Sequence, residues 1–145
     1  MFEIGLDAKL YRNTATWATP TFDEVSTVQE VTTTIDGAEA EGKTRGLAWT
    51  EFDRGLLNGA VNLTLLYDGS DADFQALRDA FFNKTNLELF VADGEAATTG
   101  TQGLRAEFRV TSFERGEPLE EGLTAVFTVK PALGATNKPI WHEVP

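Results

Sequence analysis

The sequence has no cysteine, one methionine and one histidine in 145 residues. The missing thiols exclude disulfides, thiolate metal sites and a cysteine nucleophile, so an oligomer of this chain must rest on packing and backbone pairing. The lone histidine, His142 in "KPIWHEVP", is the only base a Ser-His-Asp triad could draw on. Its place near the C-terminus argues for a structural or solvent-exposed role. Basic residues are also scarce, with 12 Lys and Arg against 23 Asp and Glu, a net charge of −11 and a pI near 4.4. Nucleic-acid affinity comes mainly from neutralising phosphates with Lys and Arg, and no basic run is present, so tight DNA binding is not expected. No apolar run approaches membrane-spanning length and no signal-like segment opens the chain, which predicts an intracellular product with no membrane partner. In that setting the Asn62 and Asn83 glycosylation patterns are chance matches. The "GKT" at 42–44 lacks the upstream glycine of a phosphate loop, and the Glu120-Glu121 pair lies in a turn rather than in opposed, shifted environments. No enzyme, metal or cofactor is expected.

What is abundant is core material and strand signal. Hydrophobic residues make up 41%, with ten Phe and three Trp, enough for a single domain with its own core. Period-2 alternation dominates. It predicts strands over Val25–Ile35, Leu47–Phe52 and Val61–Tyr67, then a short one in "NLELFV". In "LRAEFRV", Leu104, Ala106, Phe108 and Val110 alternate inward against Arg105, Glu107, Arg109 and Thr111. "LTAVFTVK" sets Leu123, Ala125, Phe127 and Val129 against Thr124, Thr128 and Lys130. The long turn "ERGEPLEEG" joins these two into an antiparallel hairpin.

One segment breaks the β pattern. "SDADFQALRDAFFNK", 70–84, predicts a helix with Ser70 as N-cap and Asp71 and Asp73 in the first turn. Phe74, Leu77 and Phe81, widened by Phe82, form its apolar stripe, suited to covering a sheet. Two glycine-containing stretches stand apart: "DGAEAEGKTRG", 36–46, is expected to project or move, and "DGEAATTGTQG", 93–103, is a second solvated loop. Either could instead be a partner-binding arm.

The order of these segments, from "FEIGLDAKLYRN" through "GLAWTEFDRG" and "LLYDGSDADFQALRDAFFNKTNLELFV" to "SFERGEPLEEG" and "PIWHEV", resembles the tail tube (major tail) proteins of tailed bacteriophages over nearly the whole chain. The resemblance implies a mainly β fold, an antiparallel β-sandwich or curled barrel with one flanking α-helix. Its parts would be an N-terminal strand and arm (1–24), a projecting loop (36–46), the helix (70–84) and a C-terminal tail (131–145). It further implies that six copies join their sheets into a ring, and that rings stack into a virion tail tube through which DNA leaves without specific binding. Tape-measure, tail-terminator and baseplate or tip proteins would be its other partners, and synthesis would take place in the host bacterial cytoplasm. By the same resemblance, Asp36, Glu39, Glu41, Lys43 and Arg45 are inter-ring candidates. The polar strand faces supply the lumen candidates: Ser26, Glu30, Thr32, Thr34, Asn62, Thr64, Glu107, Arg109, Thr111, Thr124 and Thr128. Arg105, Arg109 and Lys130 share those faces and oppose a non-binding bore. The alternatives are the tube of a type VI secretion or other injection machine, and a monomeric β-sandwich that binds a ligand through its two loops.

Overall fold

The alternation in "LRAEFRV" and "LTAVFTVK" becomes the centre of a single antiparallel sheet. The computed structural model describes residues 8–42, 45–46, 48–116 and 123–145. Its elements are β1 (Lys9–Asn13), β2 (Phe22–Glu24), β3 (Val28–Gly42), β4 (Glu51–Leu66), α1 (Ala72–Asn83), β5 (Asn86–Ala92), β6 (Gln102–Gly116), β7 (Thr124–Pro131) and β8 (Ile140–Glu143). Eight strands form the sheet in the order β2-β1-β5-β6-β7-β4-β3, with β8 paired to one end of β6. The fold is thus mainly β with one α-helix.

Strand limits differ from the sequence reading in two places. Val25–Ile35 starts late, at Val28, because the chain turns first, with Val28 N donating to Val25 O. The segments around Phe52 and Val61 are one strand: β4 runs unbroken for 16 residues. Leu47 and the 117–122 part of the long turn, including Glu120 and Glu121, lie outside the described residues. Leu123 precedes β7 and is exposed rather than inward.

The sheet curls around its own apolar face. Leu10 of β1 and Val61, Leu63 and Leu65 of β4 stand far apart in strand order, yet share one buried cluster with Leu89, Phe108, Phe127 and Val129. The helix closes this concave face. Phe74 and Leu77 are buried as the helical spacing predicts. The Phe74 ring makes edge contacts with Tyr67, Phe113 and Phe127. Phe81 is half-buried against Phe113, whereas Phe82, expected to widen the stripe, is exposed.

The helix cap is Asp71, one residue beyond Ser70: Asp71 Oδ2 accepts from Phe74 N and also from Thr27 Oγ1. Ser70 cannot take that role because its hydroxyl and amide both bind Asp68 Oδ1, at 2.7 and 3.0 Å, which holds the Asp68 carboxyl below its ordinary range. Asp73 favours the helix N-terminus as expected. It is also buried, with Oδ1 2.8 Å from Arg12 Nε, tying β1 to the helix. Lys84, in the left-handed conformation, ends the helix.

Leu77 is 1% exposed at the centre of the helix–sheet contact. Leu77→Ala is expected to cost about 2–5 kcal/mol of stability, measurable by chemical denaturation. Gly103 has a stricter constraint: a Cβ there would lie 1.7 Å from Val91 O. Gly103→Ala must push β5 and β6 apart, so its melting temperature is expected to fall below that of Leu77→Ala.

Candidate functional site

An open sheet leaves backbone groups without partners, and here the open positions are placed in a particular way. Among the described residues β3 pairs on one side only, with β4. β6 pairs with β5 only through Arg109, while on its other side it pairs with β7 from Phe108 to Gly116. From Val110 onward, the β5 side of β6 has no strand partner among the described residues. The four strands β6, β7, β4 and β3 therefore form a block with a free edge on each side. Each neighbour in it is antiparallel, so the two free edges run in opposite directions.

The convex side of this block carries most of the polar residues read as lumen-facing. Thr32, Asn62, Thr128 and Ser112 follow one another across the four strands, and Glu30, Thr64, Val126 and Glu114 form the next row. Thr128 Oγ1 donates to Asn62 Oδ1 at 2.8 Å. Thr111 sits at a bulge between Val110 and Ser112, with its hydroxyl donating to Thr128 O. Thr34 pairs with Ala60, and Thr124 pairs with Leu66 and Gly116. Arg109 and Lys130 are cross-strand partners, and Arg109 is committed in part to Asn86, whose Oδ1 accepts from both Nε and Nη2. Two candidates leave the row. Ser26 lies in the turn before β3, and half-buried Glu107 accepts from Asn137 N, holding the segment that follows β7.

The 36–46 stretch is strand rather than loop through Gly42. Asp36, Gly37, Glu39, Ala40, Glu41 and Gly42 pair with Asn58, Leu57, Arg54, Asp53, Phe52 and Glu51 as a two-stranded ribbon beyond the reach of β7. The reason lies in β4, whose residues 51–58 lie antiparallel alongside and supply a ladder for one side of a stretch that a loop would leave to water on both. Asp36, Glu39, Glu41 and Arg45 are exposed, as an arm requires, and Lys43 lies outside the described residues. The 93–103 loop is the opposite case, being pinned rather than free. Asp93 exchanges bonds with Gln102, Thr101 Oγ1 donates to Glu95 O, Gly100 N donates to Val144 O, and the Tyr11 hydroxyl accepts from Ala96 N.

No protein family and no curated protein matches the sequence. Solved structures do. A chain from the tail of an empty gene transfer agent particle, determined with C6 symmetry, superposes with a TM-score of 0.74 at 14% identity, covering 97% of this chain and 99% of that one. The SPP1 tail tube gives 0.73 at 12% identity, over 97% of this chain and 80% of that one. A chain of the anti-feeding prophage baseplate gives 0.58 at 8% identity, over 99% of both. This is the tail tube fold.

Within the tail tube fold, this chain builds a second small core on the convex side, away from the polar block. Asn13 organises it: Oδ1 accepts from Ala15 N and Thr21 N, and Nδ2 donates to Thr16 O and Glu88. The loop so fixed lays Trp17 over Arg105, whose guanidinium carbon is 3.9 Å from the indole ring centre and whose Nη2 donates to Trp17 O at 2.7 Å. Arg105, expected to face outward into water, is therefore only 5% exposed, and burial lowers its pKa. The alternation assigned its face correctly, but nothing in the spacing shows Trp17 and Phe22 covering that face. His142 packs its ring against Phe90 and Phe22 in the same cluster, which is the structural one of the two roles, structural or solvent-exposed, expected of it. Among the described residues, no group of His, Asp and Glu is arranged to hold a metal ion.

Burial, and secondarily the nearby Arg105 charge, push His142 below its ordinary value of 6.5. The folded state therefore holds this proton less tightly than the unfolded chain. The stabilisation is present above the unfolded pKa and is lost as pH falls through the folded one. As the chain has one histidine, NMR titration should give a single imidazole curve with its midpoint below 6.5. Stability should decline as pH falls below the ordinary value of 6.5, and His142→Phe should flatten that decline.

Proposed function

We propose that this chain is a structural virion protein whose copies join edge to edge into rings, and that the rings stack into a tail tube serving as a conduit for DNA ejection. The observation that carries this reading is the four-stranded block with an unpaired edge on each side. Because the edges are antiparallel to each other, β3 of one copy meets β6 of the next with the same hydrogen-bond geometry as the rest of the sheet. Closing the circle satisfies edges that would otherwise template uncontrolled pairing. The C6 symmetry of the gene transfer agent tail supports six copies per ring.

In such a ring the convex polar rows face the bore. Hydroxyl and amide side chains dominate them, and the cations Arg109 and Lys130 are accompanied by Glu30 and Glu114 on the same face. Few free cations per phosphate, on a chain of net charge −11, favour sliding over capture. The location implied is the virion tail after synthesis in the bacterial host. Tape-measure, tail-terminator and baseplate or tip proteins are the partners at the ends and in the bore. The anti-feeding prophage match supports a second reading, the tube of an injection machine, at a lower TM-score than the two tail structures. A monomeric ligand-binding module loses support because one of its two loops is pinned.

A chain without cysteine makes cross-linking unambiguous. Thr32→Cys combined with Ser112→Cys or Glu114→Cys is expected to give a covalent ladder up to a closed ring on mild oxidation, with rings or tubes visible by negative-stain microscopy. Monomer alone at high concentration, with no ladder from either pair, would contradict the reading.

A further inference from the structure

Two cations stand side by side on the convex polar face with no acid between them. Arg109 of β6 and Lys130 of β7 are directly opposed. Side chains so placed start about 5 Å apart, and like charges at that spacing destabilise a sheet. A carboxylate would relieve the repulsion, yet neither cation forms an ion pair among the described residues. The rest of their level is uncharged. Val61 pairs with Val129, so one step on brings Ala60 and its partner Thr34 alongside Lys130. Glu30 and Glu114 share a row with Val126, about 13 Å along β7 from Lys130 and beyond the roughly 8 Å screening length of physiological salt. The nearer acids, Glu88 and Glu107, oppose each other across β5 and β6, one level toward the second core. Both are engaged by uncharged donors, Glu88 by Asn13 Nδ2 and Glu107 by Asn137 N. The sheet thus places an acidic pair and a basic pair on successive levels without joining them.

Arg109 is also held in a set orientation. Asn86 Oδ1 accepts from Nε at 3.2 Å and from Nη2 at 2.8 Å, which fixes the guanidinium without cancelling its charge. Nη1 forms no hydrogen bond among the described residues, and Lys130 beside it is exposed. A fixed guanidinium next to a mobile ammonium suits a phosphate diester, whose two free oxygens can accept from both. A single small anion would meet only one such pair in screened solvent. A chain of phosphates meets the pair again on each copy around a ring, and contacts of that kind add.

We propose that Arg109 and Lys130 form a belt at one level of the bore that touches the phosphate backbone of DNA in transit. The belt rests on the ring reading and on the convex face lining the bore. On a chain of net charge −11, with Arg105 buried, it is a narrow band of attraction. Such a band contacts phosphates whatever the base sequence and releases them readily, so it steadies passing DNA rather than holding it.

The test uses tubes assembled from the full chain and first checked by negative-stain microscopy. A dye-labelled single-stranded oligonucleotide is added at low salt, and its retention is read by co-sedimentation. Wild-type tubes are expected to retain it and to release it as salt rises, with a logarithmic slope of about 0.7 per phosphate contact. Arg109→Gln with Lys130→Gln is expected to assemble, to melt no lower than wild type because a repulsion is relieved, and to bind at least tenfold more weakly with a shallower slope. Lys130→Gln alone, at an exposed side chain, should give an intermediate loss, and Lys84→Gln at the helix end should bind as wild type does. Equal retention by the double variant, or none by wild-type tubes, would overturn the proposal. So would tubes that take a polyglutamate peptide in preference to the oligonucleotide, since the band would then be a seat for an acidic protein. Wild-type chain that never forms rings would remove the ring reading itself, and microscopy shows this before any binding is measured.

Discussion

Backbone N–H and C=O groups that have no strand partner among the described residues, along the outer side of β3 and the far half of β6, are the constraint around which the molecule is arranged. An edge of this length is usually covered, bulged away or shortened. β2, at the other end of the strand order, is short at three residues. β3 is instead 15 residues long, and its partner extends with it. The helix could have shielded an edge, but its apolar stripe places it on the concave face against Phe113 and Phe127. The helix thus covers the concave face, and among the described residues neither edge of the block has a strand partner.

The sequence reading succeeded where a local signal and its environment coincide. Phe108 and Phe127 are buried because strict alternation against polar neighbours permits only one face inward, and Phe74 and Leu77 because helical spacing permits only one stripe. It failed where the deciding partner is distant in sequence. Ser70 has the chemistry of an N-cap, yet Asp68 captures it and leaves the role to Asp71. Arg105 is assigned to the polar face correctly, but water is displaced there by Trp17, 88 residues earlier in the chain. The 36–46 stretch has loop composition, and its part through Gly42 is strand because β4 lies alongside it. The candidate lumen residues were legible as alternating positions, whereas their alignment into rows depended on register, which no single strand encodes.

The free edges and the second core are linked through charge. Arg105, Arg109 and Lys130 all fall on the convex face by alternation, and a bore lined by all three would hold phosphate more strongly than a hydroxyl surface. Burial removes the first: Trp17 and Phe22 stack on Arg105, and the guanidinium retains one hydrogen bond to Trp17 O while its Nε has no partner. An arginine with an unsatisfied buried nitrogen is a costly way to fill a core, since an apolar residue of similar volume would avoid the desolvation. What the arrangement achieves is local: the same face can be a packed core at the β1–β5 end and a hydroxyl-lined surface at the β7–β4 end, with half-buried Glu107 between them holding the segment after β7. The curl of one sheet therefore divides its convex side into an anchored part and an open part. The open part is the one bounded by the unpaired edges.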